Sequence, residues 1–199
     1  MSDEAPAIRL MLILPAGCTA QDAAALARAG DIAAVIAAPG AGGAGDETRL
    51  SALARPFQEA GAAVLVEGRE DLARKLDLDG AHMSGPAPLK AALATLRPGG
   101  KIAGCGGLDS RHDAMEAGEA GADYVMFGDL DGPFEDTLDA IDWWAEVFEV
   151  PCVGVATTLE QAEALAEAGA DFIALAGDAV TAATISALDA RLRAPETAR

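Results

Sequence analysis

Glu119-Ala120-Gly121-Ala122-Asp123 returns later in the chain as Glu167-Ala168-Gly169-Ala170-Asp171. A third copy, Glu59-Ala60-Gly61-Ala62, lacks only the Asp. Each copy closes a polar, alanine-rich stretch and opens an apolar run: Tyr124-Val125-Met126-Phe127, Phe172-Ile173-Ala174-Leu175 and Ala63-Val64-Leu65-Val66. The physical reading is a helix, a glycine cap, then a buried strand. Glycine enters the left-handed conformation that ends a helix without a steric penalty. A short, wholly apolar run suits a parallel strand covered on both faces. The two full copies are about two strand-helix units apart, which points to a β/α repeat.

Working outward from these units, eight strands are predicted, near 8–14, 31–37, 62–66, 79–83, 101–105, 122–127, 151–155 and 170–175. Helices are predicted near 20–29, 46–60, 69–76, 87–95, 109–120, 134–148, 158–168 and 178–193. Thr19, Asp109 and Thr158 are expected as N-caps, the last with Gln161 at the third position. Pro98 with Gly99-Gly100, and Pro151, break the chain before the fifth and seventh strands. Eightfold alternation predicts an α/β chain with a single (β/α)8 TIM barrel as one domain over residues 1–199. The competing topology is an open doubly wound sheet with fewer strands. Pro39 to Gly45 is glycine-rich but lacks both the Lys-Ser/Thr of a P-loop and dinucleotide-fingerprint spacing, so it is read as a mobile loop.

Half of the residues are hydrophobic, yet no run reaches the roughly 18 apolar residues of a membrane span. The start, Met1-Ser2-Asp3-Glu4, is acidic rather than basic, so no secretory signal is expected. Cys18, Cys105 and Cys152 form no metal or disulfide pattern, which fits a reducing cytoplasm. The formal charge is −18, with no Lys or Arg between Arg111 and Arg191. Such a field argues against nucleic-acid and anionic-membrane partners.

Several strings, in order, resemble the thiamine phosphate synthase family and its TenI-like relatives. Asp79-Gly80-Ala81-His82-Met83 is similar to the family's Asp-Gly-Val-His-Leu. Arg69, Asp71, Leu72 and Ala73 stand where it has Arg-x-Asp-Leu-Ala. Gly121-Ala122-Asp123-Tyr124-Val125-Met126-Phe127-Gly128 resembles its sixth strand, and Gly169-Ala170-Asp171 its last. The resemblance covers about residues 60 to 180. It implies a (β/α)8 barrel that joins a pyrimidine pyrophosphate to a thiazole phosphate, with Mg²⁺ and loss of pyrophosphate.

The positions at which that family does its chemistry read differently. Its Gln-x-Arg-x-Lys after strand two is replaced by Val35-Ile36-Ala37-Ala38-Pro39, and its Asn-Asp after strand three by Glu67-Gly68. Its metal Asp after strand four aligns with Ala87, and its Ser after strand five with Gly106. Its Lys after strand six has no counterpart in Asp129-Leu130-Asp131-Gly132. Ala156-Thr157 replaces its Gly-Gly, and Gly177 its last Ser. Departing pyrophosphate needs cations. Near the expected mouth only Arg69 and Arg111 offer a positive charge, while Glu67, Asp109, Asp129, Asp131 and Asp178 are all expected there.

Carried over residue by residue, the resemblance implies Arg69, Ser84, Gly106, Thr157 and Gly177 as substrate contacts, and Glu67 with Asp129 as Mg²⁺ ligands. Arg69 would face an anionic group, and Thr157 and Gly177 a phosphate at helix N-termini. Asp178, a good N-cap type, is expected to compete for the same N–H groups. The cluster Glu67, Asp129 and Asp131 could instead attract a cationic ligand, and the reading favoured over both is a solvated acidic face. His82 lies in a buried strand and is read as a core residue, and Cys105 has no identifiable partner. Phe134, Leu138, Ile141, Trp144 and Phe148 share one helical face, with Trp143 about 100° around, expected at an exposed edge. An exposed Trp would suggest a subunit contact and a homo-oligomer, and the alternative is partial burial at the helix edge. Two functions follow: a thiamine phosphate synthase altered at its chemistry, taking small phosphorylated molecules, or a non-catalytic binding or scaffold barrel of the same descent.

Overall fold

The computed structural model describes residues 8–40 and 44–193. Strands β1 (Arg9–Leu14), β2 (Ile32–Ala37), β3 (Ala63–Glu67), β4 (Gly80–Ser84), β5 (Ile102–Gly106), β6 (Tyr124–Phe127), β7 (Cys152–Ala156) and β8 (Phe172–Leu175) alternate with helices. These are α1 (Ala20–Leu26), α2 (Ala44–Glu59), α3 (Glu70–Lys75), α4 (Pro86–Leu96), α5 (Arg111–Ala120), α6 (Phe134–Val147), α7 (Leu159–Glu167) and α8 (Ala182–Leu192). All eight strands are parallel and follow chain order around a closed barrel. The closing pair is β1 with β8, from Arg9 opposite Phe172 to Leu12 opposite Leu175. The open doubly wound sheet is therefore excluded. The glycine-rich stretch read as a mobile loop has its centre, residues 41–43, outside the described residues.

The repeated unit closes its helices as expected. Gly61, Gly121 and Gly169 take φ of 88°, 99° and 93°, where a side chain would be strained. The residue after each glycine donates its N–H five positions back: Ala62 to Phe57 at 2.9 Å, Ala122 to Ala117 at 3.1 Å, Ala170 to Leu165 at 3.1 Å. This closure satisfies carbonyls the helix end would leave unpaired and turns the chain into the next strand. Asp77, at φ 52°, performs the same turn after α3, with Leu78 donating to Ala73.

The Asp that ends the full repeat has a separate task. Asp123 donates its backbone N–H to the carbonyl of Ala103 at 2.9 Å, and its Oδ2 accepts the N–H of the same Ala103 at 2.7 Å. Asp171 grips Cys152 in the same way, at 3.1 and 2.8 Å. Asp79 grips Val64 at 2.9 and 2.8 Å. Each clamp fastens the foot of an even strand to the odd strand before it, β4 to β3, β6 to β5 and β8 to β7. The copy lacking Asp opens β3, an odd strand, so its missing carboxylate matches the pattern.

The barrel interior is filled by Met11, Ile36, Leu65, Tyr124, Met126, Val153 and their neighbours, and a larger apolar layer lies between strands and helices. Two glycines of β5 admit bulk from other strands. A Cβ on Gly104 would sit 2.0 Å from the Tyr124 ring, and one on Gly106 would sit 2.7 Å from His82 Nε2. His82 is buried as read from sequence; its Nδ1 lies 2.8 Å from the Tyr124 hydroxyl.

Two local expectations need correction. The N-cap of α5 is Ser110, not Asp109, and its hydroxyl accepts from the Asp113 N–H. The N-cap of α8 is Thr181, because Asp178 lies in a short 3-10 turn, Gly177–Ala179. Of the two readings of Trp143, partial burial at the helix edge holds, since the Arg111 guanidinium sits 4.6 Å over its ring and Trp144 and Phe148 meet it edge-on. Ile141 and Trp144 are buried on the expected face of α6.

Candidate functional site

The C-terminal ends of the strands form the mouth, where the loops of this fold are free to carry chemistry. At β8 the chain leaves Ala176, whose N–H donates to the Ala156 carbonyl at 3.0 Å, and turns at Gly177 with φ 60°. Among the described residues, the N–H groups of Gly177 and Asp178 donate to no other group. No side chain caps this turn. The expected competition from the Asp178 carboxylate is thus not made, and two adjacent N–H groups are left without an acceptor among the described residues, as an anion-receiving turn requires.

Thr157, at the end of β7, is occupied. Its N–H and its hydroxyl both donate to Gln161 Oε1, at 2.8 and 2.9 Å. Thr158 Oγ1 accepts the Gln161 N–H at 3.2 Å and caps α7. A phosphate reaching Thr157 must first displace Gln161.

Arg69 stands at the N-cap of α3, with Nε and Nη2 on the two oxygens of Asp71 at 2.8 and 2.7 Å. This pair holds the Asp71 carboxyl below the usual range, chiefly through the hydrogen bond from Arg69. Both side chains are exposed, so water screens the pair and an incoming anion competes at small cost. A cation beyond Arg69 and Arg111 also comes to this end of the barrel. Arg49, on α2, donates from Nη2 to the Ala38 carbonyl at 2.6 Å, bringing a guanidinium to the end of β2. Its place on a helix, eleven residues beyond that carbonyl, hid it from motif reading.

Ser84 ends β4 and is exposed, its Oγ lying 2.3 Å from where Gly107 would carry a Cβ. Gly106 is buried beneath His82 Nε2, so the imidazole fills the space a β5 side chain would take. Burial holds the His82 pKa down to about 4, so the ring is neutral near pH 7. Burial raises the Cys105 thiol to about 11, which makes it a poor nucleophile.

Glu67 and Asp129 end β3 and begin the loop after β6, strands that are not neighbours in the barrel. Asp129 Oδ1 accepts the N–H of Asp131 at 2.9 Å and that of Gly132, so it caps its own turn. No three His, Cys, Asp or Glu side chains converge as a metal-binding set among the described residues. The Glu67 and Asp129 donors therefore do not fit a preformed Mg²⁺ site among the described residues. Among the described residues, Glu67, Asp109, Asp129, Asp131 and Asp178 enter none of the ion pairs.

Residues 46–179 match the sequence profile of the thiamine monophosphate synthase family, the group that includes TenI. The chain belongs to this family. Its members include the thiamine-phosphate synthase of Erythrobacter litoralis, 39% identical over 146 residues, which span 66% of this chain and 68% of that one. The synthase of Hyphomonas neptunium is 40% identical over 126 residues, 59% of this chain and 57% of its own. That of Rhodospirillum centenum is 39% identical over 142 residues, 66% and 69% of the two chains. The solved thiamine phosphate pyrophosphorylase of Pyrococcus furiosus shares the fold, with a TM-score of 0.77 over 94% of this chain and 95% of that one at 21% identity. No helix among the described residues is long and apolar enough to cross a membrane.

Proposed function

We propose that this protein joins a pyrimidine pyrophosphate to a thiazole phosphate, with a rebuilt set of anion contacts. The open N–H pair of Gly177 and Asp178 carries the reading. It would receive the thiazole phosphate. Arg49 at the end of β2 and Arg69 at the start of α3 would meet the pyrophosphate, Arg69 by exchanging Asp71 for it. In the reaction the bond between the pyrimidine methylene carbon and the pyrophosphate oxygen breaks. Pyrophosphate leaves with the electron pair. The thiazole nitrogen supplies the pair for the new C–N bond. Two guanidinium groups would stabilise the departing charge in place of the family's Arg and Lys.

The test is a synthase assay on the purified chain with both substrates and Mg²⁺, reading thiamine phosphate as fluorescent thiochrome. Turnover is expected, and Arg49→Ala and Arg69→Ala should each lower it about tenfold or more. The second reading, a binding barrel without catalysis, is favoured by the wholly apolar Val35 to Ala37 and by the lack of a convergent metal set among the described residues. It would be upheld by a folded protein that turns over nothing yet is still stabilised against heat by thiazole phosphate.

A further inference from the structure

Between the loop after β5 and the N-terminal turns of α6 lies a cleft of about 270 Å³. Asp109, Asp129 and Asp136 stand around it, and Phe127 and Ala140 form an apolar wall. A contiguous cleft shares Asp109 and Asp136 and adds Asp139. None of these four carboxylates enters the ion pairs formed among the described residues. Arg111 also lines this second cleft, with its guanidinium 4.6 Å over the Trp143 ring. No Lys or Arg occurs in the sequence from there to Arg191.

A buried hydroxyl makes this more than an acidic rim. Thr137, on the inner side of α6, is only 7% exposed and lines the cleft. Its Oγ1 makes no hydrogen bond among the described residues, although no such polar atom there is cut off from both partner and solvent. The oxygen therefore opens onto the cleft. Gly128 leaves the room beside it, since a Cβ there would sit 2.6 Å from Oγ1. The hydroxyl is reached from the cleft, so a ligand that displaces water there must hydrogen-bond to it or leave it unpaired.

We propose that this cleft binds a small organic cation bearing N–H groups, an alkylammonium, with its nitrogen on Thr137 Oγ1 and the carboxylates of Asp109 and Asp136 and its carbons against Phe127 and Ala140. A bare metal ion fits less well. The carboxylates ring a cleft instead of converging, and no metal set forms among the described residues. The apolar wall would serve a hydrocarbon and do nothing for a hydrated ion. The residues lining this cleft are not those of the anion contacts at Gly177, Asp178, Arg49 and Arg69, and binding there does not depend on synthase activity.

The experiment titrates the whole protein with putrescine at about 0.15 M salt, where diffuse attraction to the acidic surface is screened beyond about 8 Å. Binding is followed by calorimetry and by the backbone amide signals of Gly128 and Thr137. One saturable site is expected, with shifts confined to this cleft. Thr137→Val removes the hydroxyl at constant shape and should weaken binding about tenfold. Asp136→Asn, on an exposed side chain that folding does not need, should weaken it several-fold. Glu119→Gln, on α5 outside the cleft, should change nothing. Equal loss in Glu119→Gln, equal binding of tetramethylammonium, which has no N–H, or no saturable binding would each overturn the proposal. So would Mg²⁺ producing the same saturable shifts, which would mark a metal site.

Discussion

The two ends of the barrel use the same residue type to opposite effect. At the foot, Asp79, Asp123 and Asp171 each hold both backbone groups of one residue on the preceding strand. At the mouth, Glu67, Asp109 and Asp178 hold no cation among the described residues, and Asp129 caps only its own turn. A carboxylate that accepts backbone N–H groups at a strand end replaces the water those groups would lose, so it contributes stability. Carboxylates left to solvent contribute little to folding and remain available to a ligand. The lesson is that the Gly-Ala-Asp string, which signals the family, is a structural device; the chemistry must be sought at the other end.

The comparison can be broken or sharpened by substitution. The largest effect is expected between the two ends, inside the barrel. Gly104→Ala drives a methyl into the Tyr124 ring and should cost about 3 kcal/mol or more, with part recovered in a Gly104→Ala, Tyr124→Leu double variant, both read by chemical denaturation.

Next comes the buried imidazole. His82 has a folded pKa of about 4 against an ordinary 6.5, so the unfolded chain binds the proton more readily between those values. Stability should be complete above about pH 6.5 and fall as pH drops towards 4, by about 3 kcal/mol from this group. His82→Gln should flatten that slope in a pH series of thermal melts. An unchanged slope would show that other groups govern acid unfolding.

The foot and the mouth are then compared directly. Asp171→Ala frees the Cys152 N–H at the base of β7 and should destabilise by about 2 kcal/mol. Asp129→Ala, at the mouth, should cost about 0.5 kcal/mol, because its turn is exposed. Equal losses at the two sites would end the distinction drawn here.

Much of the fold was legible because it is local. Gly121 and Gly169 followed by apolar runs announce a helix end and a buried strand wherever they occur, and all eight strands lie within two residues of their expected bounds. Caps were less legible. Asp109 and Ser110 are adjacent and chemically alike as caps, so only the backbone angles decide that Ser110 holds the Asp113 N–H. Asp178 was misread for a related reason: a 3-10 turn intervenes before α8. Among the candidate site residues, Arg69 and Gly177 come to the mouth as read, whereas Thr157 is already engaged by Gln161. Arg49 and Thr137 were missed because each lies on a helix, carries no motif, and gains meaning only from what it faces.

By itself the sequence determined the repeat, the eightfold alternation of strand and helix, and the family, because these rest on backbone propensity and on apolar patterning between near neighbours. Tertiary structure decided what each charged group does. Asp123 meets Ala103, twenty residues away, and His82 meets Tyr124 across 42 residues, contacts that exist only once the barrel closes. Whether a carboxylate stabilises the fold or stays free for a ligand depends on which N–H group or cation lies within about 3 Å, a distance no linear pattern carries.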